Sequence, residues 1–587
     1  MKTTKYICTI ALVLCMLLPT QAQNNNPNLE RELSLEKEYN PSVREADKIN
    51  QLPEIREPEA PKTQVEFANY TLNYQIPPYI SNLQAQSYFS NFATSNKRGY
   101  LNVGVSSLID INGDLGYQIV NSEKDFLSIF ASHRSTNSDV TSLQTDDKLR
   151  MKINDNVGGL NYIHRFDKAK FFADAQYTYS AFNYYGFLLS LHYPFELFDL
   201  STNQVNNLFK TRLGVESVNS EEINYKVNLA YSLFDQKHSI DPAWSGRTEN
   251  RIMADLNFHA KFTSTAGVGL GGSMINYSYP TSPSFKVYND IDPDRLYTMD
   301  DDNYTTLSLN PYFTFEGDDW DVRLGASGNM RVGGIKDFLL APDIKFNWRP
   351  TEQFLLYILA TGGIKDNSSY NMFYENRYID PLYRVEDSKS PVDGTFGLNF
   401  LVLPNLEMGV FTGYKLTKNE HFYAHIVMNP QTGSLMAQRI IPEYAKAETF
   451  KLGGSLKYAY QDIFNIGLNL SYYNWQVKES DLYLQAWGKP SFVGDIHIGL
   501  KTPDFPLRMD LAYRLEAGRK TLPPSISPFV DLNMKNINDL NLKVSYDINN
   551  SFTVFAQANN LLFQKYDLWY GYPAQDFNIM GGISVKF

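Results

Sequence analysis

The sequence predicts an all-β protein, a transmembrane antiparallel β-barrel of about 22 strands preceded by a short Pro-rich arm. Three observations carry this. From Gly99 onward, apolar residues recur at every second position through long segments, as in Ile223, Tyr225, Val227, Leu229, Tyr231 and Leu233 against Asn224, Lys226, Asn228, Ala230 and Ser232. The links between such segments alternate between short and long, the asymmetry expected of periplasmic turns and extracellular loops. Finally, the chain closes on an alternating segment, with Phe577, Ile579, Gly581, Ile583, Val585 and Phe587 on one face, which is what the last seam of a closed barrel requires.

In order along the chain, residues 1–22 read as a secretory signal. Lys2 and Lys5 precede an apolar core from Ile7 to Leu18, and Thr20-Gln21-Ala22 offers a small-residue cleavage site. The core is too short to span a bilayer, and no later run of 18 apolar residues exists, so helical membrane spans are not expected. Both cysteines, Cys8 and Cys15, lie in this segment, leaving neither disulfide nor thiol chemistry to the mature chain. Losing Lys2 and Lys5 takes the formal charge from −11 to about −13, which argues against nucleic acid as a partner.

Residues 23–98 differ in composition. Pro41, Pro53, Pro58, Pro61, Pro77 and Pro78 punctuate a stretch rich in Glu, Lys, Arg and Gln, and proline at this density enforces extended backbone. Two readings stand open: a flexible periplasmic arm, or a segment that enters the lumen or docks a partner. The aromatics Phe67, Tyr70, Tyr74, Tyr79, Tyr88, Phe89 and Phe92 keep the second open, because they need something to pack on.

The barrel is assigned to residues 99–587. Its segments run to about 11–16 residues, beyond the usual globular strand and long enough to cross a membrane tilted. Short turns are expected near Asp167-Lys168, Gly317-Asp318, Arg349-Pro350, Pro404-Asn405, Gln461-Asp462 and Asn549-Asn550. Long links are expected near 136–149, 183–205, 235–248, 280–300, 367–388, 420–445, 479–489 and 520–534. Turns at Asn112-Gly113 and Gly333-Gly334 are short where long links are due. The even count places both termini in the periplasm. Forty Tyr and 37 Phe oversupply residues suited to strands and to the membrane interface. Trp320, Trp348 and Trp475 fall at strand ends, in girdle positions, whereas Trp244, Trp487 and Trp569 fall in long links expected to face the exterior.

The last fifty residues also resemble the end of the TonB-dependent receptor barrels of Gram-negative bacteria. Asn559-Asn560-Leu561-Leu562, the loop Tyr566-Asp567-Leu568-Trp569-Tyr570-Gly571-Tyr572-Pro573, and a final strand ending in Phe587 carry the likeness. It implies an outer-membrane barrel that takes up or passes a ligand. Receptors of that family carry a glycine-rich plug between signal and barrel, and residues 23–98 show no such motif and no TonB-contacting box. The alternative function is a structural or assembly barrel that anchors an outer-membrane complex. A third, a secreted soluble binding protein, fits the strand lengths least.

No residue set nominates itself as catalytic, and no cofactor is implied. The acidic run Asp290, Asp292, Asp294, Asp300, Asp301 and Asp302 departs from a calcium loop, because Arg295 and Asp301 replace the needed Gly and Glu. His421 and His425 do not match metal spacing on a strand. The expected partners are outer-membrane lipid and a periplasmic or outer-membrane protein that occludes or uses the barrel. Ligand-contact candidates are the loop aromatics Tyr370, Phe373, Tyr374, Trp569, Tyr570 and Tyr572, able to stack on sugars or to fold over the mouth. Lumen candidates are Arg323, Arg331, Arg508, Asp510, Arg514 and Glu516, as mutual ion pairs stiffening the wall or as a selectivity lining.

Overall fold

A computed structural model describes residues 97–186, 203–218, 222–238, 246–281, 284–286, 296–298, 303–334, 336–381, 385–427, 438–478, 485–503, 505–522 and 532–587. The signal, almost all of segment 23–98, Trp244 and the acidic run around Asp290–Asp302 lie outside these residues.

The alternating segments form one 22-stranded sheet in which each strand pairs antiparallel with its neighbours in sequence. The first strand, Gly99–Ser106, pairs with the last, Asn578–Lys586, from Tyr100↔Lys586 to Ser106↔Met580, so the sheet is closed. Closure leaves no open edge and satisfies every ladder from within the wall. At the seam, Gly99 and Phe587 exchange backbone hydrogen bonds of 2.8 and 3.0 Å, and the Phe587 ring stacks on Tyr117 at 6.1 Å. A β-carbon on Gly99 would fall 2.5 Å from the Phe587 ring, so a larger residue there would push the terminal ring from its place at the seam.

At the end of the barrel where the first strand begins and the last one ends, consecutive strands are joined by turns of between two residues (352–353) and five (502–506). The opposite end carries the long links, among them 366–387, 518–536 and 560–577. Two connections at that end are short. One is 333–336, as its Gly333-Gly334 pair predicts; both glycines have positive φ. The other is 107–110 rather than Asn112-Gly113, which sit inside the strand Ile111–Asn121 opposite Gly104 and Val103. The alternation of that segment continues through Gly113, so the turn forms where it breaks, at Ser107–Asp110.

The outward face is apolar. Leu229, Phe313, Leu324, Phe338 and Leu340 are exposed there, as a lipid-facing wall requires. Trp320 and Trp348 are direct cross-strand partners beside the short turns, and Trp348 Nε1 donates to Asp319 at 2.9 Å, an apolar ring with its polar tip turned to the turn region.

Candidate functional site

The inner wall carries charges that are paired. Arg323 bonds to Asp343 and lies 3.4 Å over the Tyr312 ring. Arg508 meets Asp547 at 2.9 Å. Arg514 meets Glu516 at 2.5 Å and Asp495 at 3.5 Å, and Asp510 lies 3.9 Å from His497 and opposite Lys543 on the next strand. Arg331 is buried, its guanidinium 3.8 Å over Tyr304. Each of the six lumen candidates therefore has a neighbour that neutralises or covers it.

The mouth at the long-link end is where side chains from distant parts of the sequence converge. Link 366–387 contains a short helix, Ser369–Glu375, capped by the Ser368 hydroxyl accepting from the Asn371 amide. From this link, side chains reach three separate parts of the wall. Asp366 takes a 2.5 Å bond from Arg251. Arg377 reaches Asp155 at 2.9 Å. Glu375 lies 2.8 Å from His421 and 3.2 Å from Lys489. Arg251, Asp155 and His421 belong to the strands Thr248–Lys261, Lys148–Arg165 and Leu406–Val427, so the link spans the opening rather than fringing it.

Around this link forms an aromatic core that also takes in the ends of the wall strands. Phe182 and Ile153 are cross-strand partners there, and Val140, Met151, Tyr184 and Tyr185 join them. Tyr378 stacks on Tyr572 at 4.0 Å, bringing link 366–387 against link 560–577. Tyr185 packs edge-on to both rings, and its hydroxyl donates to the Pro573 carbonyl at 2.9 Å. Trp569 is 4 % exposed and packs edge-on to Tyr423 at 4.7 Å. Such aromatic pairs add about 0.5–1.5 kcal/mol each beyond their burial.

Buried charges pin the same links. Arg439 and Asp380, 3 % and 0 % exposed in their side chains, pair at 2.7 Å. The Arg519 guanidinium donates to the carbonyls of Leu568, Asp567 and Lys535 at 2.8, 2.9 and 3.1 Å. Burial alone would raise the Glu375 carboxyl, but His421, Lys489 and Lys365 together hold it well below the usual carboxylate range. Asp387 goes the other way: burial first, then the neighbouring Asp366, push it up to about 6.

The aromatic candidates divide accordingly. Phe373, Trp569 and Tyr572 are part of the packed mouth, and Tyr370 is capped by Lys210 at 3.6 Å and by the Phe234 edge. Tyr374 is 61 % exposed, and Tyr570, beside His425, is partly exposed. Trp487 and Trp569, expected to face the exterior, are instead buried at 2 % and 4 %, because their links fold inward onto apolar strand ends. His421 and His425 take separate partners, Glu375 and Thr521. Glu375, Asp380, Lys489 and Arg519 had no sequence signal, since irregular links carry no periodicity, and Arg439 stands at the start of the strand Gln438–Tyr460 within a segment read as a long link. The clustering of Tyr and Trp in links 366–387 and 560–577 was the available hint.

No family model matches the sequence, and no curated protein sequence matches it. Solved structures share its fold. The copper transporter OprC aligns at TM-score 0.61 with 10 % identity, covering 84 % of this chain and 80 % of that one. The FrpB iron transporter from Neisseria meningitidis aligns at 0.62 and 10 %, covering 84 % and 82 %. The ferripyoverdine receptor of the outer membrane of Pseudomonas aeruginosa aligns at 0.59 and 12 %, covering 84 % and 72 %. These proteins are TonB-dependent receptors, and the likeness at such identities is one of fold.

Proposed function

We propose that this chain is an outer-membrane barrel that passes a ligand across the membrane, working from the fold it shares with TonB-dependent receptors. Its termini lie on the periplasmic side and the packed links at the outer mouth. The carrying observation is that link 366–387 bridges three separate parts of the wall while stacking on link 560–577. A barrel serving as an anchor has no need of a closure built from buried, mutually paired charges. A conduit of 22 strands needs one, because a wall of that number encloses a lumen wide enough to leak. The contacts are all non-covalent, so the closure can be undone by a ligand or a partner that stabilises the withdrawn links.

Residues 23–98 are proposed as a second closure from the periplasmic side, or as the segment a partner engages. Conductance in planar bilayers tests both parts. Four proteins are compared: the mature chain, a Tyr378→Ala/Tyr572→Ala variant, the chain lacking residues 23–98, and the combination. The passage reading expects little conductance from the mature chain and the largest steps from the combination. If all four remain silent while folded and inserted, the passage reading falls and the anchoring role takes its place.

A further inference from the structure

Under the helix Ser369–Glu375 lies a cavity of about 330 Å³ whose polar lining comes from Lys365, Asp366, Asn367, Asn371 and Glu375, at the lower end of the size range of small-molecule sites. Lys365 ends the strand Phe354–Lys365 and pairs in register with Ser388, which is fully buried. The hydrogen-bonding capacity these residues leave unused defines what fits.

Asn367 spends both amide hydrogens, on the Glu386 carbonyl at 2.9 Å and the Ser388 hydroxyl at 2.8 Å. Asn371 spends its own on the Asp366 carbonyl at 2.9 Å and the Asp366 carboxylate at 3.1 Å. Each amide therefore has only its oxygen left to offer. Both Asp366 oxygens are taken, one by the Ser368 amide and the other by Arg251 and Asn371. Glu375 commits Oε1 to His421 and Lys489, and Oε2 takes no bond from any described residue. The Lys365 ammonium likewise has no ion-pair or hydrogen-bond partner among the described residues. Its nearest counter-charges, the Glu375 and Glu420 carboxylates, act on it without a direct bond. The lining thus presents one ammonium with unspent N–H donors and three unspent acceptors.

From this we propose that the cavity binds a small zwitterion of the α-amino acid or short-peptide kind, its carboxylate on Lys365 and its ammonium among Asn367 Oδ1, Asn371 Oδ1 and Glu375 Oε2. A simple anion would satisfy Lys365 and face three acceptor oxygens. A simple cation would use the oxygens and leave the Lys365 N–H donors unspent. An uncharged polyol would pair the oxygens but set only a hydroxyl against the ammonium, a weaker acceptor than a carboxylate. Glu375 belongs both to this lining and to the contact with His421 and Lys489, so occupancy of the cavity is coupled to the packing of link 366–387. That the ligand is cargo rests on the passage reading; that it binds does not.

The test is calorimetric titration of the full mature chain in detergent with L-alanyl-L-alanine, its N-acetyl form, its C-terminal amide, and sorbitol. The free dipeptide is expected to bind at least about tenfold more tightly than either blocked form, with sorbitol weaker still. Lys365→Met is expected to erase the difference between the dipeptide and its amide while leaving the effect of N-acetylation. Lys365→Arg, which keeps the charge, is expected to restore the preference for the free carboxylate, and unboiled gel mobility reports that both variants are folded. Equal binding of free and blocked peptides, or no heat from the dipeptide up to about 10 mM where the ligand's two charged groups should each contribute, overturns the proposal. If the lid variants conduct but the dipeptide does not bind, this inference fails and passage stands. Binding without conductance does the reverse.

Discussion

The wall and the mouth are built from the same residue types under different rules. On the wall, Arg508 and Asp547 pair at 2.9 Å with about a third of each side chain exposed, and the strand ladders supply the cohesion. At the mouth, Arg439 and Asp380 pair at nearly the same distance with almost nothing exposed, and the backbone pairing beside them is a single isolated bridge, Ile379 to Ile440. A half-exposed pair is screened and contributes little. A buried pair is costly to break, because one charge is left without water or partner. The wall therefore tolerates changes that the mouth does not, and the mouth is the part whose state a few side chains decide.

The strongest way to break this contrast is Arg439→Met. It should loosen the mouth by about 3–5 kcal/mol, read as faster hydrogen exchange at the Asp380 amide, which bonds to the Ile440 carbonyl at 2.9 Å. Adding Asp380→Asn should recover most of the loss. If Arg439→Met alone leaves that amide protected, the ion pair does not pin link 366–387.

The next effect is pH-dependent. A carboxyl whose folded value is raised binds its proton more tightly in the packed state. Its stabilising effect is complete below the unfolded value of 3.8 and is lost as pH rises through about 6. Asp387 should therefore make the packed links more resistant to limited proteolysis at pH 5 than at pH 7, by about 1.3 kcal/mol. In that window Glu375, held low by its cations, stays ionised and does not contribute. Asp387→Asn should remove the pH dependence and give the resistant pattern at pH 7; a dependence that survives the substitution assigns it elsewhere.

Smaller again is Tyr572→Leu, which keeps apolar volume but removes the stack on Tyr378 and should cost about 0.5–1.5 kcal/mol, seen as a modest rise in exchange at the Tyr378 amide. Arg508→Met on the wall should change thermal stability by less than about 1 kcal/mol. A larger loss there would mean that the lumen ion pairs do more for the wall than its ladders do.

Strand positions were legible because burial on one face writes a period of two into the sequence. Leu507, Met509, Leu511 and Tyr513 alternate with Arg508, Asp510, Ala512 and Arg514, and the strand Leu507–Ala517 follows. The turn at 404–405 and the terminal strand were readable for the same reason, whereas the turn expected at Arg349-Pro350 forms at 352–353 because the strand runs on to Thr351. Where small residues extended the alternation, as at Asn112-Gly113, the turn was misplaced by a few residues.

The candidate site was legible only in part. The sequence marked links 366–387 and 560–577 as aromatic and left open whether their rings meet a ligand or each other. Tyr378 against Tyr572, and Trp569 against Tyr423, meet each other. Charges such as Glu375 and Lys489 are separated by over a hundred residues and sit in segments without periodicity.

By itself, then, the chain determined a closed wall of 22 strands, because alternation, strand length and turn length are local properties that each segment carries alone. The state of its opening was decided only in three dimensions. Which link crosses the mouth, which charges it buries and which oxygens it leaves unspent around Lys365 depend on where closure of the sheet brings distant strand ends. That proximity is created by the ring of strands and written in no stretch of sequence.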